Sequence, residues 1–265
     1  MDTPVGLASP FSNRGAITRE TSKTAYGIES FSKKISSYEK GRPSYPDEAI
    51  GFLMDKLALQ PFMTIADIGA GTGILTRKLS ARFKSVIPLE PNSEMRALLG
   101  SVAVNGTAEK TTLPDESLDA IFAAQAFHWF DPAAARAEFQ RILKSPKPVA
   151  LLWNNLEPHG QNGALELSQL MESLKSAHSQ VLQADEGMIS DFFATESLNK
   201  AHFENPVRLD HDAFLAMVLS RSYAPGEGDE GYADLVSRLQ ALFEVHSVGG
   251  FFPVFYRTHA YWGWL

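Results

Sequence analysis

The chain has 265 residues, no cysteine, a formal charge of −7 and 44% apolar side chains. Those values exclude a disulfide framework, a thiolate nucleophile and a cysteine-based zinc site. They also count against nucleic acid as a partner, because phosphate binding selects for a basic face. No apolar run approaches the ~20 residues of a membrane span, and the first residues lack a signal-type apolar core. The expectation is a cytoplasmic protein with no membrane partner. The seven histidines are scattered without zinc-ligand spacing, so no metal is expected.

Residues 1–30 mix Ser, Thr, Gly and charge without period and read as a flexible tail. Residues 31–46, FSKKISSYEKGRPSYP, begin as a short helix and turn at Gly41-Arg42-Pro43. Pro46 followed by Asp47 and Glu48 marks a helix start, because proline suits the first turn and acids suit the positive end of the dipole. TIADIG, residues 64–69, is a short apolar run bounded by glycine and predicts a buried strand. GILTRKLSARF follows as a helix, then SVIPLE, residues 85–90, as a second strand, with Pro88 awkward inside it. SEMRALLG predicts a helix and VAVNGTAEK a third strand near residue 102. SLDAIFAAQA (117–126) reads as a strand, PAAARAEFQRILK (132–144) as a helix and PVALLWNN (148–155) as a strand. This alternation predicts an open, mostly parallel sheet with helices on both faces. After residue 155 the pattern changes to a helical insert over 156–195, a strand near HFENPVRL, two further helices, and an aromatic strand, FFPVFYRTHAYWGWL, able to close the sheet. The 17 phenylalanines imply either a Phe-rich core or an apolar pocket for a small molecule.

Asp67-x-Gly69-x-Gly71-x-Gly73 lies between a strand and a helix. Glycine lets a ligand approach the main chain, and the helix start offers free N–H groups. The spacing is G-x-G-x-G, with Ile74 where the dinucleotide fingerprint places a third glycine, so a dinucleotide pyrophosphate is less favoured. Glu90, at the end of the next strand, is placed to accept hydrogen bonds from ribose hydroxyls. Together these features predict a nucleoside-type ligand across the carboxyl ends of the strands.

The segment ADIGAGTGILTRKL, then Glu90-Pro91-Asn92, Gly106-Thr107-Ala108-Glu109 and LPDESLDAIFAAQAFHWFD, resembles the class I S-adenosylmethionine-dependent methyltransferases. YEKGRPSYP (38–46), SRSY (220–223) and YRTHAYW (256–262) make the chain similar to the trans-aconitate-methyltransferase-like small-molecule group. The resemblance implies a Rossmann-like fold with a seven-stranded sheet. It further implies a single domain over 31–265, with residues 31–60 as an N-terminal cover. It implies S-adenosyl-L-methionine as cofactor. Asp67 and the loop Gly69, Ala70, Gly71, Thr72 and Gly73 would hold its methionyl part. Glu90 would take the ribose, with Pro91 and Asn92 alongside, and Met95, Ala108 and Glu109 would surround the adenine. Gln125 and Ala126 would pass beneath. His128 and Trp129 would face the meeting point of cofactor and substrate, and Tyr38, Arg42 and Tyr45 would belong to the cover. Two departures stand out: Pro88 in the second strand, and KSPKPVA (144–150) where many relatives have a Pro-Gly-Gly turn.

Methyl transfer is an in-line displacement governed by orientation and a dry site. A carboxylate acceptor needs no base, whereas a hydroxyl acceptor benefits from one. His128 is the candidate base and Tyr38 a second catalytic candidate. Arg42, Tyr45, Trp129, Arg221, Tyr223 and Tyr256 are candidates for the substrate wall, Arg42 through its carboxylate-binding fork. The expected function is methyl transfer to a small organic acceptor, a carboxylate or a hydroxyl. The alternatives are a cyclase-like reaction on the same fold with cofactor bound, a nicotinamide dehydrogenase, and a non-catalytic binding protein. Oligomeric state is left open by the sequence.

Overall fold

The computed structural model describes residues 40–157, 163–175, 186–193, 197–221 and 223–265. Tyr38 and residues 1–30 lie outside them. Six strands form one sheet in the order β2-β1-β3-β4-β6-β5. β1 (Thr64–Ile68), β2 (Ser85–Leu89), β3 (Ala120–Ala124) and β4 (Pro148–Leu156) run parallel. β6 (Phe252–Trp264) is inserted antiparallel between β4 and β5 (Asn199–Leu209), so the aromatic C-terminal segment does close the sheet.

Among the described residues the sheet has six strands where seven were expected, and the proline in β2 supplies a reason. The expected strand near residue 102 is reduced to a bridge between Leu89 and Val104. Val104 N donates to Pro88 O at 2.9 Å, and Glu90 N donates to Val104 O at 3.0 Å. The preceding bond of a parallel ladder would run from residue 88 N to residue 102 O, and proline has no N–H to give. The missing donor faces the outer edge, so the β1–β2 ladder, with Asp67 opposite Pro88, is untouched.

The buried strands read as continuous apolar runs because helices cover both faces. Alternate residues serve two cores. Ile121, Leu151 and Trp153 pack on one face with Phe139 of α4 (Pro132–Ile142) and with Phe192 and Phe193 of α6 (Glu186–Phe193). Ile65, Phe122 and Leu152 pack on the other with Leu53 of α1 (Asp47–Lys56) and Leu79 of α2 (Ile74–Ser80). The Phe-rich core is real: Phe127, Phe139 and Phe192 meet edge to face, the arrangement the ring quadrupole favours. A third cluster joins α5 (Ala164–Leu174), α7 (His211–Leu219) and α8 (Tyr232–His246) to the first half of β6. In place of the Pro-Gly-Gly turn, Lys144–Lys147 forms a turn with a cis Ser145–Pro146 bond and Lys147 at φ 65°.

Candidate active site

A cleft of about 1020 Å³, counting the part that is open to solvent, lies at the carboxyl ends of β1, β2 and β3. Of the residues expected to hold a cofactor, only Gly73 is absent from its walls. Tyr45 and Trp129, expected on the substrate side, also line it, as do Thr107 of the Gly106–Glu109 motif and Phe130, next to Trp129.

The glycine loop is built for close approach. At Gly69, with φ 71°, a Cβ would sit 2.7 Å from Ala126 Cβ, so the loop can cross that strand end only without a side chain. At Gly71, with φ 57°, a Cβ would meet nothing within 4 Å, and that face of the loop opens to the cleft. Thr72 Oγ1 is buried with no hydrogen-bond partner among the described residues, an orphaned acceptor and donor on the cleft wall.

Glu90 is 6% exposed and accepts from Gly71 N at 2.8 Å and from Asn92 N at 2.9 Å. Asn92 in turn caps α3 (Ser93–Leu98), accepting from Glu94 N and Met95 N. Asp67 is 1% exposed, and its carboxylate accepts from Thr76 Oγ1 at 2.6 Å. The structure therefore brings both carboxylates to one loop. β3 ends at Ala124, two residues earlier than the apolar run suggested, and Gln125 turns into the left-handed region at φ 53°. Such a conformation in a residue with a side chain is costly and is found at ligand sites. It is held by Gln125 N to Leu152 O (2.9 Å) and Gln125 Nε2 to Asn154 O (2.9 Å).

A model of the methyltransferase domain matches residues 66–147. An uncharacterised methyltransferase of Mycobacterium tuberculosis is 33% identical over 222 residues, covering 82% of this chain and 86% of that relative. The chain belongs to the S-adenosylmethionine-dependent methyltransferases. A relative in Schizosaccharomyces pombe, also an uncharacterised methyltransferase, is 33% identical over 151 residues, covering 55% of this chain and 60% of the other. The fold is shared with a solved structure classed as a type II methyltransferase from Anaeromyxobacter dehalogenans. That match has a TM-score of 0.66 at 22% identity and covers 84% of this chain and 97% of that one.

The cleft of this methyltransferase fits its cofactor, S-adenosylmethionine. The open face of Gly71, the orphaned Thr72 hydroxyl and two buried carboxylates give a donor and acceptor set suited to a charged methionyl group and a ribose. Burial pushes the Asp67 carboxyl up to about 7, with the Glu90 charge adding to the rise and the Thr76 hydrogen bond opposing it. Burial also raises Glu90, against the pull of the Asn92 and Gly71 amides and the Arg96 charge. Both carboxyls are thus held above their ordinary values chiefly by burial, the kind of perturbation that marks ligand sites.

The cleft wall carrying Thr107, Ala108 and Glu109 is braced from α4. Glu138 Oε1 accepts from Thr111 N (2.9 Å) and Thr111 Oγ1 (2.6 Å), and Arg141 bonds Glu138, Asp115 and the Leu113 carbonyl. Arg141 holds the Glu138 carboxyl down to about 2. Glu109 Oε1 accepts from Asp131 N at 2.8 Å, tying the loop that carries Thr107 and Ala108 to the start of the same helix.

A second group of side chains stands on the Tyr45–Trp129 side. His128, in a short 3-10 turn (Phe127–Trp129), lies beside the Trp129 ring with centroids 5.1 Å apart. Arg42 reaches Ser220 O at 3.5 Å. Tyr256 is 3% exposed, and the charges of Arg221 and Arg42 and the hydroxyl of Tyr223 all bear on its phenol. The Tyr256 hydroxyl faces Arg221 without a hydrogen bond of normal geometry. Arg42, His128, Arg221, Tyr223 and Tyr256, drawn from four distant segments, thus lie within electrostatic reach of one another, although none lines the main cleft. His128 departs from the expected near-neutral titration: burial, and secondarily the Arg42 charge, depress it to about 4.

The hub joining the two groups was missed from sequence. Asn154 is 6% exposed and donates to Pro43 O and Ser44 O, both at 3.3 Å. Its Oδ1 accepts from Thr258 Oγ1 (2.5 Å) and Asn205 Nδ2 (3.2 Å). The available signal was an amide at the end of an otherwise apolar strand, LLWNN. Such a residue is tolerated there only when fully bonded. Among the described residues no group of three or more His, Asp or Glu is arranged to hold a metal ion, and no helix is long and apolar enough to cross a membrane.

Proposed function

We propose that the chain is a small-molecule methyltransferase of the trans-aconitate-methyltransferase-like kind, acting in the cytoplasm and esterifying a carboxylate held near Arg42, Arg221 and Tyr256. The observation that carries this reading is the meeting of two guanidinium groups and a buried phenol beside a histidine depressed to about 4. A guanidinium fork matches a carboxylate, and two of them in a partly desolvated place select for an anion. An imidazole with so low a pKa is a weak base, poorly matched to removing a proton from a hydroxyl near neutrality. A carboxylate oxygen is already a nucleophile.

Bound S-adenosylmethionine would supply a methyl group on a sulfonium for in-line displacement by the acceptor oxygen, with the neutral thioether as leaving group, and a carboxylate acceptor would need no base. The residues of the chain supply orientation and exclusion of water. Asp67, Thr72 and the Gly69–Gly73 loop hold the methionyl end, Glu90 holds the ribose, and Met95, Ala108 and Glu109 surround the adenine. Tyr45 and Trp129 wall the cleft toward the acceptor. Neutral His128 serves as a hydrogen-bonding partner there, and Tyr38 is assigned to the cover.

The test is incubation with methyl-labelled cofactor and a panel pairing carboxylic acids with phenols, alcohols and amines of matched size, read by mass spectrometry. Label in a base-labile methyl ester is the expected result. Label in an ether or amine, or homocysteine-form cofactor without any labelled product, overturns the carboxylate assignment.

A further inference from the structure

The ladder that stops at Val104 leaves the Glu90 carbonyl, just past the end of β2, without a main-chain donor. In a regular parallel ladder the carbonyl of Glu90 would be the next acceptor after the Leu89–Val104 bridge. Here it is taken by a side chain. Arg96, half-buried on α3, donates from Nη1 to Glu90 O at 2.8 Å, Pro91 O at 2.9 Å and Asn105 Oδ1 at 3.1 Å. One nitrogen thus bridges the end of β2 to the chain emerging from Val104, where a strand would otherwise have done so.

We propose that Arg96 is a positioning residue for cofactor binding: it replaces the missing strand, fixes the Glu90-Pro91-Asn92 turn, and so aims the Glu90 carboxylate into the cleft. The inference rests on the reading of Glu90 as the ribose contact. The turn has few other constraints on its outer side. Pro91 has no N–H, and the inner constraints act on the Glu90 side chain, which bonds Gly71 N and Asn92 N. The Arg96 backbone is itself locked, its N donating to Asn92 O at 2.9 Å, so helix and turn form one closed unit. The position also matters electrostatically. The charged groups bearing on Glu90 are Asp67 from the end of β1 and Arg96 from α3, while the glycine loop and Asn92 meet it with main-chain amides. Arg96 is the cation of that set and favours the ionised carboxylate.

The experiment is calorimetric binding of S-adenosylhomocysteine to the full chain between about pH 5 and pH 9, for wild type, Arg96→Gln, Arg96→Lys and Glu90→Ala, with apo melting temperatures alongside. Arg96→Gln should weaken binding about tenfold through loss of charge-assisted hydrogen bonds. It should also move the acid limb of binding to higher pH, because Glu90 protonates more readily without the cation. Arg96→Lys keeps the charge and loses the fork, so its acid limb should stay at the wild-type position with affinity a few-fold weaker. An Arg96→Gln protein that melts lower but binds with wild-type affinity and an unmoved acid limb has lost only stability, and that result overturns the proposal. If Arg96→Gln does not fold, Arg96→Lys decides, and wild-type affinity there overturns it. Wild-type binding by Glu90→Ala would instead remove the ribose assignment, a failure separable from that of Arg96.

Discussion

The cofactor cleft and the side-chain group proposed to meet the acceptor are built in opposite ways. The first is made from consecutive pieces, residues 64–76, 89–96 and 106–126, each containing a strand end, a loop or a helix start. Much of its chemistry is main-chain amide, glycine conformation and two carboxylates. The second gathers Arg42, His128, Arg221 and Tyr256 from segments far apart in the chain, on side chains alone, and depends on Asn154 to hold the entering segment against the sheet. A site made of main chain is preserved by the fold itself, whereas a site made of converging side chains can be retuned by single substitutions. That contrast matches a family sharing one cofactor.

The largest expected effect breaks the first side alone. Glu90→Ala should weaken S-adenosylhomocysteine binding by roughly a hundredfold, the loss of a buried acceptor of two hydrogen bonds, with the apo protein still folded by circular dichroism. Asn154→Ala should break the second side. Four bonded groups lose their partner, so unfolding free energy should fall by about 2–4 kcal/mol in denaturant titration. Acceptor KM should rise while cofactor affinity stays within a few-fold. Equal losses of both affinities would show that the two sides are not separate.

Asp67→Asn tests the cost of function on the first side. The Asp67 carboxyl is raised from 3.8 to about 7 in the folded state. Its ionisation therefore opposes folding, with nothing lost below pH 3.8 and the full cost present above about 7. The asparagine variant should melt above wild type at pH 8, with the advantage fading as pH falls toward 4, and should bind cofactor weakly. His128 carries the opposite sign. Depressed from 6.5 to about 4, its neutral form contributes stability above pH 6.5 that is lost as pH falls through 4. A kcat profile limb near pH 6–7 that disappears in His128→Gln would contradict its reading as a neutral partner. The smallest effect is expected for Glu138→Gln, about 1–2 kcal/mol of stability at neutral pH from a weakened hydrogen-bond network. That difference should shrink as acid takes Glu138 through its depressed value near 2, and cofactor affinity should move only slightly.

Much of the first side was legible from its residues. A strand-like run ending in Asp67, glycines spaced G-x-G-x-G and a carboxylate after the next strand are local patterns, and local patterns survive in sequence. Of the residues assigned to the cofactor, only Gly73 stands off the cleft, its space closed by Leu99. The braces behind that side were not legible. Thr76, Arg96 and Glu138 look in sequence like ordinary polar residues on amphipathic helices, and only packing shows where their side chains reach. Pro88 was visible as a misfit, but its consequence, a ladder that stops at Val104, follows only from knowing which edge its missing N–H faces.

By itself, then, the sequence determined the alternation of strands and helices, the glycine loop that lines the cleft and the acid bonded to it. Each of these is fixed by backbone preferences and short-range periodicity. Tertiary structure alone decided the strand count, the gathering of Arg42, Arg221, Tyr256 and His128, and the depressed titration of that histidine. Long-range packing sets burial and the distance between charges, and those two quantities carry no local signature in the chain.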